Sequence, residues 1–148
     1  MLRAVEKEFK FCCAHRLYHL PEDHQCSNVH GHNYRLLIKL IQDEDSYDFV
    51  KDSMVIDFGI LKEFQNHLNL NFDHRLVLSE EDPKLNDFIE LTDVTTFHNG
   101  PTTCENFCYY FASVVKNFIK SYEIPNIKSI KLTLYESDQN SACLKINI

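Results

Sequence analysis

His32-Asn-Tyr-Arg-Leu-Leu-Ile-Lys-Leu-Ile-Gln42 is the stretch on which the fold turns. Tyr34, Leu36, Ile38 and Leu40 recur every second residue, the period of a strand with one face buried. Leu2–Cys12, upstream, alternates apolar and charged residues and is predicted to be a partner strand. Downstream, Phe49–Asp57 is a candidate extension of the hairpin. The period then changes. Leu61, Phe64 and Leu68 follow helical spacing within 58–70, and Phe107, Phe111, Val114, Val115 and Phe118 do so within 105–122. Ile127–Glu136 and Ala142–Ile148 return to strand character across the turn-prone Ser-Asp-Gln-Asn-Ser. The expected architecture is α+β: a four-stranded antiparallel sheet with two helices on one face. Such a sheet has two open edges, and edge pairing between subunits is one way to close them.

The 148 residues suit a single domain, with no repeat, no low-complexity tract and only three glycines. The charged opening MLRAVEKEFKF lacks the apolar stretch of an export signal, and no apolar run is long enough to span a bilayer. A soluble cytoplasmic protein with no membrane partner is expected. The net charge of −7 argues against a nucleic-acid partner but leaves room for an anionic small molecule bound by a local cationic cluster. The six cysteines show no disulfide-framework spacing and are expected as reduced thiols. Cys12, Cys13, Cys104, Cys108 and Cys143 are expected to be packing residues.

Chemistry concentrates in Cys26-Ser-Asn-Val-His30-Gly-His32, with His15 upstream. Residues two apart on a strand share a face, so His30 and His32 can present both imidazoles to one metal ion, with Gly31 letting the backbone bend toward it. His15, after the first strand, is the best third ligand for a three-ligand open site of the catalytic zinc type. Cys26 is open to two readings, a fourth ligand or a nucleophile or base beside the metal. His19, His24, His67 and His98 have no comparable pattern and are expected in structural or surface roles. Asp73-His74 can form an oriented proton-transfer pair, although adjacent residues often point apart. Glu105 fits the first turn of a helix on dipole grounds alone. Glu136, closing the apolar Lys-Leu-Thr-Leu-Tyr rhythm, is either a solvent-facing strand end or an acceptor for paired N–H groups of a heterocycle.

In this order, FKFCCAHRL, CSNVHGHNY, MVIDFGILK, FDHRL, PTTCEN and LYES resemble the 6-pyruvoyl- and 6-carboxy-tetrahydropterin synthase family over nearly the whole chain. The resemblance implies a tunnelling fold, whose subunits join edge to edge into a barrel. It further implies a hexamer of two stacked trimers, with active sites at subunit interfaces. His15, His30 and His32 match the zinc ligands, and Cys26 matches a proton-transferring base that does not bind the metal. Asp73 and His74 match the rest of the proton relay. Glu136 matches the carboxylate that anchors the pterin ring, with Thr103 and Glu105 lining the same pocket. The family's Pro-Thr-x-Glu-Asn is one residue longer here between Pro101 and Glu105, so the pocket threonine is aligned on Thr103.

The implied reaction converts 7,8-dihydroneopterin triphosphate to 6-carboxy-5,6,7,8-tetrahydropterin, with acetaldehyde and triphosphate released, toward a queuosine precursor. The alternative within the family stops at the pyruvoyl side chain, on the way to biopterin. Three residues separate Cys26 from His30, which resembles the queuosine-pathway subgroup. Two other readings are a zinc- or pterin-binding protein without turnover and a metal-dependent hydrolase on another fold. The hydrolase reading lacks an HExxH-type helix.

Overall fold

The computed structural model describes residues 1–148. Two long strands, β1 (Leu2–His15) and β2 (His30–Asp43), form an antiparallel hairpin in unbroken register from Leu2 opposite Asp43 to His15 opposite His30. Both run past their predicted limits, so His15 and His30 are strand residues. After α1 (Lys62–Asn71) come the short strand β3 (Arg75–Ser79), α2 (Leu85–Leu91) and β4 (Val94–Phe97). The chain ends with α3 (Cys104–Ser121), β5 (Ile127–Tyr135) and β6 (Ser141–Asn147).

The sheet has six strands in the order β4-β3-β1-β2-β5-β6. The predicted antiparallel set β1-β2-β5-β6 is present, but β3 pairs parallel with β1 and β4 parallel with β3. The expected four-stranded sheet is therefore corrected to a mixed one. Arg-Leu-Val-Leu-Ser and Val-Thr-Thr-Phe are too short to show a period, and β3 is so deeply buried that it has no polar alternation. A third, peripheral helix, α2, was also not foreseen.

The proposed hairpin extension at 49–57 is absent. Asp48 Oδ1 accepts the N–H groups of Val50 and Lys51, and Asp52 Oδ2 accepts that of Asp48, so local side chains satisfy the backbone in place of a ladder.

The core fills the space between one face of the sheet and α1 and α3. Phe9, Phe11 and Cys13 of β1 and Tyr34, Leu36, Ile38 and Leu40 of β2 point into it. Leu61, Phe64 and Leu68 cover them, as their spacing predicts. On α3 the buried stripe is Phe107, Cys108, Phe111, Ala112, Val115 and Ile119, with Val114 and Phe118 at its margins. Phe11, Phe72, Phe107 and Phe111 meet edge to face or tilted, with ring centroids 5.0–6.3 Å apart. Each such contact adds roughly 0.5–1.5 kcal/mol beyond burial. This packing fixes the end of the β1–β2 hairpin where the histidines lie. No helix is long and apolar enough to cross a membrane.

Candidate metal centre and adjoining pocket

His15 and His30 are cross-strand partners, and His32 lies two residues further along β2, opposite Cys13. All three face the helix side of the sheet, since they share the parity of the core positions. Their ring centroids are 4.7, 5.2 and 4.9 Å apart, and one nitrogen from each falls within 4.8 Å of the others.

Backbone carbonyls set the tautomers. His15 Nδ1 donates to the Thr102 carbonyl and His30 Nδ1 to the Asn28 carbonyl, each at 2.7 Å. A carbonyl only accepts, so the proton is on Nδ1 and the Nε2 lone pair is free. His15 is 1% exposed. Its Nε2 and that of His32 are buried without any hydrogen-bond partner. Burial pushes the His15 imidazole down to about 4, helped by His30 and His32 and opposed by the Thr102 hydrogen bond. Burial also lowers His32, and His30 adds to this against the opposing pull of Glu136. Three converging imidazoles, two of them with a buried Nε2 that has no partner, fit a divalent transition metal with room for an exogenous ligand.

Gly31 does not supply the anticipated bend. It lies in regular strand opposite Ala14, and an added Cβ would meet the Cys13 carbonyl at an ordinary 3.5 Å.

Glu136, immediately after β5, brings Oε1 to 3.6 Å from His32 Nε2. It also lines a cavity of about 490 Å³ with Leu17, Thr103, Glu105 and Asn140. Thr103 is the N-cap of α3, its Oγ1 accepting the Asn106 N–H at 3.2 Å, and Glu105 follows in the first turn. Metal cradle and carboxylate pocket are thus contiguous.

Cys26 sits on a single 3-10 turn (Gln25–Ser27). Its carbonyl accepts the Leu17 N–H at 2.8 Å and its own N–H goes to His24 Nδ1. Its sulfur is not among the atoms that converge with the three histidines. Arg16 secures this turn by donating to the Ser27 carbonyl while forming a two-point ion pair with Asp82, Nε–Oδ2 2.7 Å and Nη2–Oδ1 3.0 Å.

Asp73 and His74 do form a pair: His74 Nδ1 is 2.8 Å from Asp73 Oδ2, while Asp73 Oδ1 accepts the Cys12 N–H. Burial works against the Asp73 carboxylate, but these hydrogen bonds hold its pKa below the usual range. Within the chain the pair is not brought to the histidine site. It lies beside the Cys12 side chain, on the sheet face turned away from the helices.

Cys12 is accordingly not the packing residue expected. Two adjacent cysteines on a strand must face opposite ways, and Cys13 takes the core side. Cys13, Cys104 and Cys108 do pack, and burial raises the latter two to about 12 and about 11. His24, His67 and His98 serve local hydrogen bonds, with Cys26, Tyr110 and Glu80 respectively. Thr102 and Asn28 escaped sequence reading because they act through backbone carbonyls, which no side-chain pattern reveals.

Residues 4–146 match the family model described as 6-pyruvoyl tetrahydropterin synthase. The chain is 31% identical to the 6-carboxy-5,6,7,8-tetrahydropterin synthase of Haemophilus influenzae over 134 residues, 86% of this chain and 89% of the relative. It is 29% identical to the synthase of that name from Rickettsia conorii, covering 81% of this chain and 93% of the relative. Among solved structures, a Plasmodium vivax 6-pyruvoyltetrahydropterin synthase superposes with a TM-score of 0.75 at 21% identity, covering 100% and 99% of the two chains. The Caenorhabditis elegans 6-pyruvoyl tetrahydropterin synthase gives 0.66 at 24% identity, covering 99% and 97%. These structural likenesses concern the fold.

Proposed function

Because the chain belongs to the 6-pyruvoyl tetrahydropterin synthase family, we propose that it is a zinc-dependent enzyme acting on 7,8-dihydroneopterin triphosphate. Its products are 6-carboxy-5,6,7,8-tetrahydropterin, acetaldehyde and triphosphate, on the route to a queuosine precursor. The observation that carries this reading is the convergence of His15, His30 and His32 beside Glu136 at the edge of the pocket.

His15, His30 and His32 would hold the zinc, which when bound supplies Lewis acidity to the substrate side chain and eases loss of the adjacent protons. Glu136 accepts the amino and ring N–H groups of the pterin, since a carboxylate can take two parallel donors. Thr103 and Glu105 line the same pocket. Cys26 removes a proton from the side chain, and His74, oriented by Asp73, returns one.

In one protomer Asp73 and His74 lie across the sheet from the three histidines, so on this reading a second subunit completes each site. The open β4 and β6 edges favour edge-to-edge joining into a barrel, with two trimeric rings stacking to a hexamer. The six unpaired cysteines accord with a reducing cytoplasm.

The three-residue spacing from Cys26 to His30 favours the carboxy product over the pyruvoyl one, as do the names of the Haemophilus and Rickettsia relatives. The test is incubation of the zinc-loaded protein with dihydroneopterin triphosphate, with products identified by mass and any aldehyde trapped. Carboxy-tetrahydropterin with acetaldehyde is the expected result. Pyruvoyl-tetrahydropterin without acetaldehyde would move the chain to the biopterin reaction. Intact substrate with metal bound would leave a binding protein.

A further inference from the structure

On the helix-free face of the sheet, three different metal-binding donors are clamped to one another. Cys12 Sγ lies 3.7 Å from His74 Nδ1, and His74 Nδ1 lies 2.8 Å from Asp73 Oδ2. The backbone ties the cluster together twice: the Cys12 N–H donates to Asp73 Oδ1 at 2.9 Å, and the His74 N–H donates to the Cys12 carbonyl at 2.7 Å. His74 is held there at φ 58°, a conformation a non-glycine residue rarely adopts. One ligand atom from each residue falls within 4.8 Å of the other two.

We infer that Cys12, Asp73 and His74 form a second metal site, separate from the three-histidine site, which takes thiophilic divalent ions such as Zn2+ or Cd2+.

One separation already fits a tetrahedral ion, and a second needs only a small opening. Tetrahedral zinc with bonds of about 2.0–2.3 Å sets its ligand atoms roughly 3.3–3.7 Å apart. The sulfur–nitrogen separation already has that value. The nitrogen–oxygen pair must open by about half an ångström on this scale. The His74 side chain is 80% exposed, so its ring can turn without disturbing any packing. The set combines sulfur, nitrogen and oxygen, which disfavours Mg2+ and Ca2+, ions that demand oxygen throughout. Binding displaces the Cys12 thiol proton to solvent, requires the His74 proton to move from Nδ1 to the exposed Nε2, and leaves a fourth position for water.

The position of the cluster gives it a consequence that rests on the function proposed above. A metal here engages His74 and withdraws it from proton return, so zinc beyond the first equivalent inhibits turnover. The existence of the site does not depend on that reading, and its test uses metal alone.

The metal-free protein is titrated with Cd2+, following metal content and the sulfur-to-cadmium charge-transfer band in the ultraviolet. The three-histidine site contains no sulfur, so the band reports a thiolate ligand. The expected result is a second equivalent per chain whose binding raises the band. Cys12→Ala abolishes the band, and His74→Ala, at an exposed side chain, weakens the second equivalent at least about tenfold. Cys26→Ser and His30→Ala keep the band, and His30→Ala loses the other equivalent. Absence of a band in the wild-type protein overturns the inference. So does a band that survives Cys12→Ala, or one that disappears in Cys26→Ser.

Discussion

His15 and His30 face each other across the last rung of the β1–β2 ladder, their ring centroids 4.7 Å apart. Nothing in the hairpin requires two imidazoles at that rung. His15 Nε2 is left buried with no partner, an arrangement that costs about 1–3 kcal/mol unless a ligand accepts the lone pair. The metal-free protein should therefore be measurably less stable than the loaded one. At a hundredfold excess of metal over its dissociation constant, the gain is about 2.7 kcal/mol. Thermal scans with and without a chelator should show the melting temperature fall and recover on adding Zn2+. His30→Ala should reduce the chelator response to the part that metal at Cys12, Asp73 and His74 contributes. An unchanged melting temperature in the wild-type protein would mean that the three histidines hold no metal.

Glu136 is separated from His32 by 3.6 Å and lines the pocket next to the metal cradle. Replacing it with glutamine keeps the shape but removes the charge and turns one acceptor into a donor. Losing charge-assisted hydrogen bonds to the pterin should cost about 1.5–3 kcal/mol, roughly 10- to 100-fold in kcat/KM. Zinc content should be unchanged, because Glu136 is not one of the converging ligands. Steady-state kinetics with metal analysis separates the outcomes. A loss of zinc in Glu136→Gln would make the residue a metal-site component instead of a substrate anchor.

The two sites were unequally legible in the sequence. His30-x-His32 is legible because strand periodicity alone puts both side chains on one face, and His15 follows from the hairpin that β1 and β2 form. Asp73-His74 could be read as a pair, since the two residues are adjacent, but not its location, which depends on β3 pairing parallel with β1 at Cys13 and Ala14. That pairing has no local signature, because Arg75–Ser79 is short and buried on both sides. The same gap hid Cys12. Its role follows from strand parity together with the position of the Asp73 turn, and only the first is written in the sequence. Phe49–Asp57 misled for a different reason: its apolar residues suggested a strand, while Asp48 and Asp52 supplied the turn chemistry that decided the outcome.

If Asp73 and His74 act on the metal of another subunit, two inactive variants should rescue each other. Cys26→Ala and His74→Ala each damage a different contributor to the site. When subunits are mixed at random by unfolding and reassembly, about a quarter of the sites receive both intact contributors. Activity should return to about that fraction, while neither variant recovers when reassembled alone. Failure of the mixture, with both variants properly assembled, would place both contributors in one protomer and require a rearrangement of the chain to unite them.

Arg16 and Asp82 form an ion pair whose side chains are 11% and 0% exposed, and Arg16 also holds the Ser27 carbonyl beside Cys26. Asp82→Ala leaves a buried guanidinium uncompensated and should destabilise the protein by about 3–5 kcal/mol. The double variant Arg16→Met with Asp82→Leu removes both charges and should recover most of that loss. It should not recover activity, because the Arg16 hydrogen bond to Ser27 is then gone and only the Leu17 N–H to the Cys26 carbonyl still ties the Cys26 turn to the end of β1. Chemical denaturation and kinetics on the same two variants make the distinction. Stability restored with activity still low assigns the ion pair to positioning Cys26, whereas recovery of both would reduce it to a structural contact.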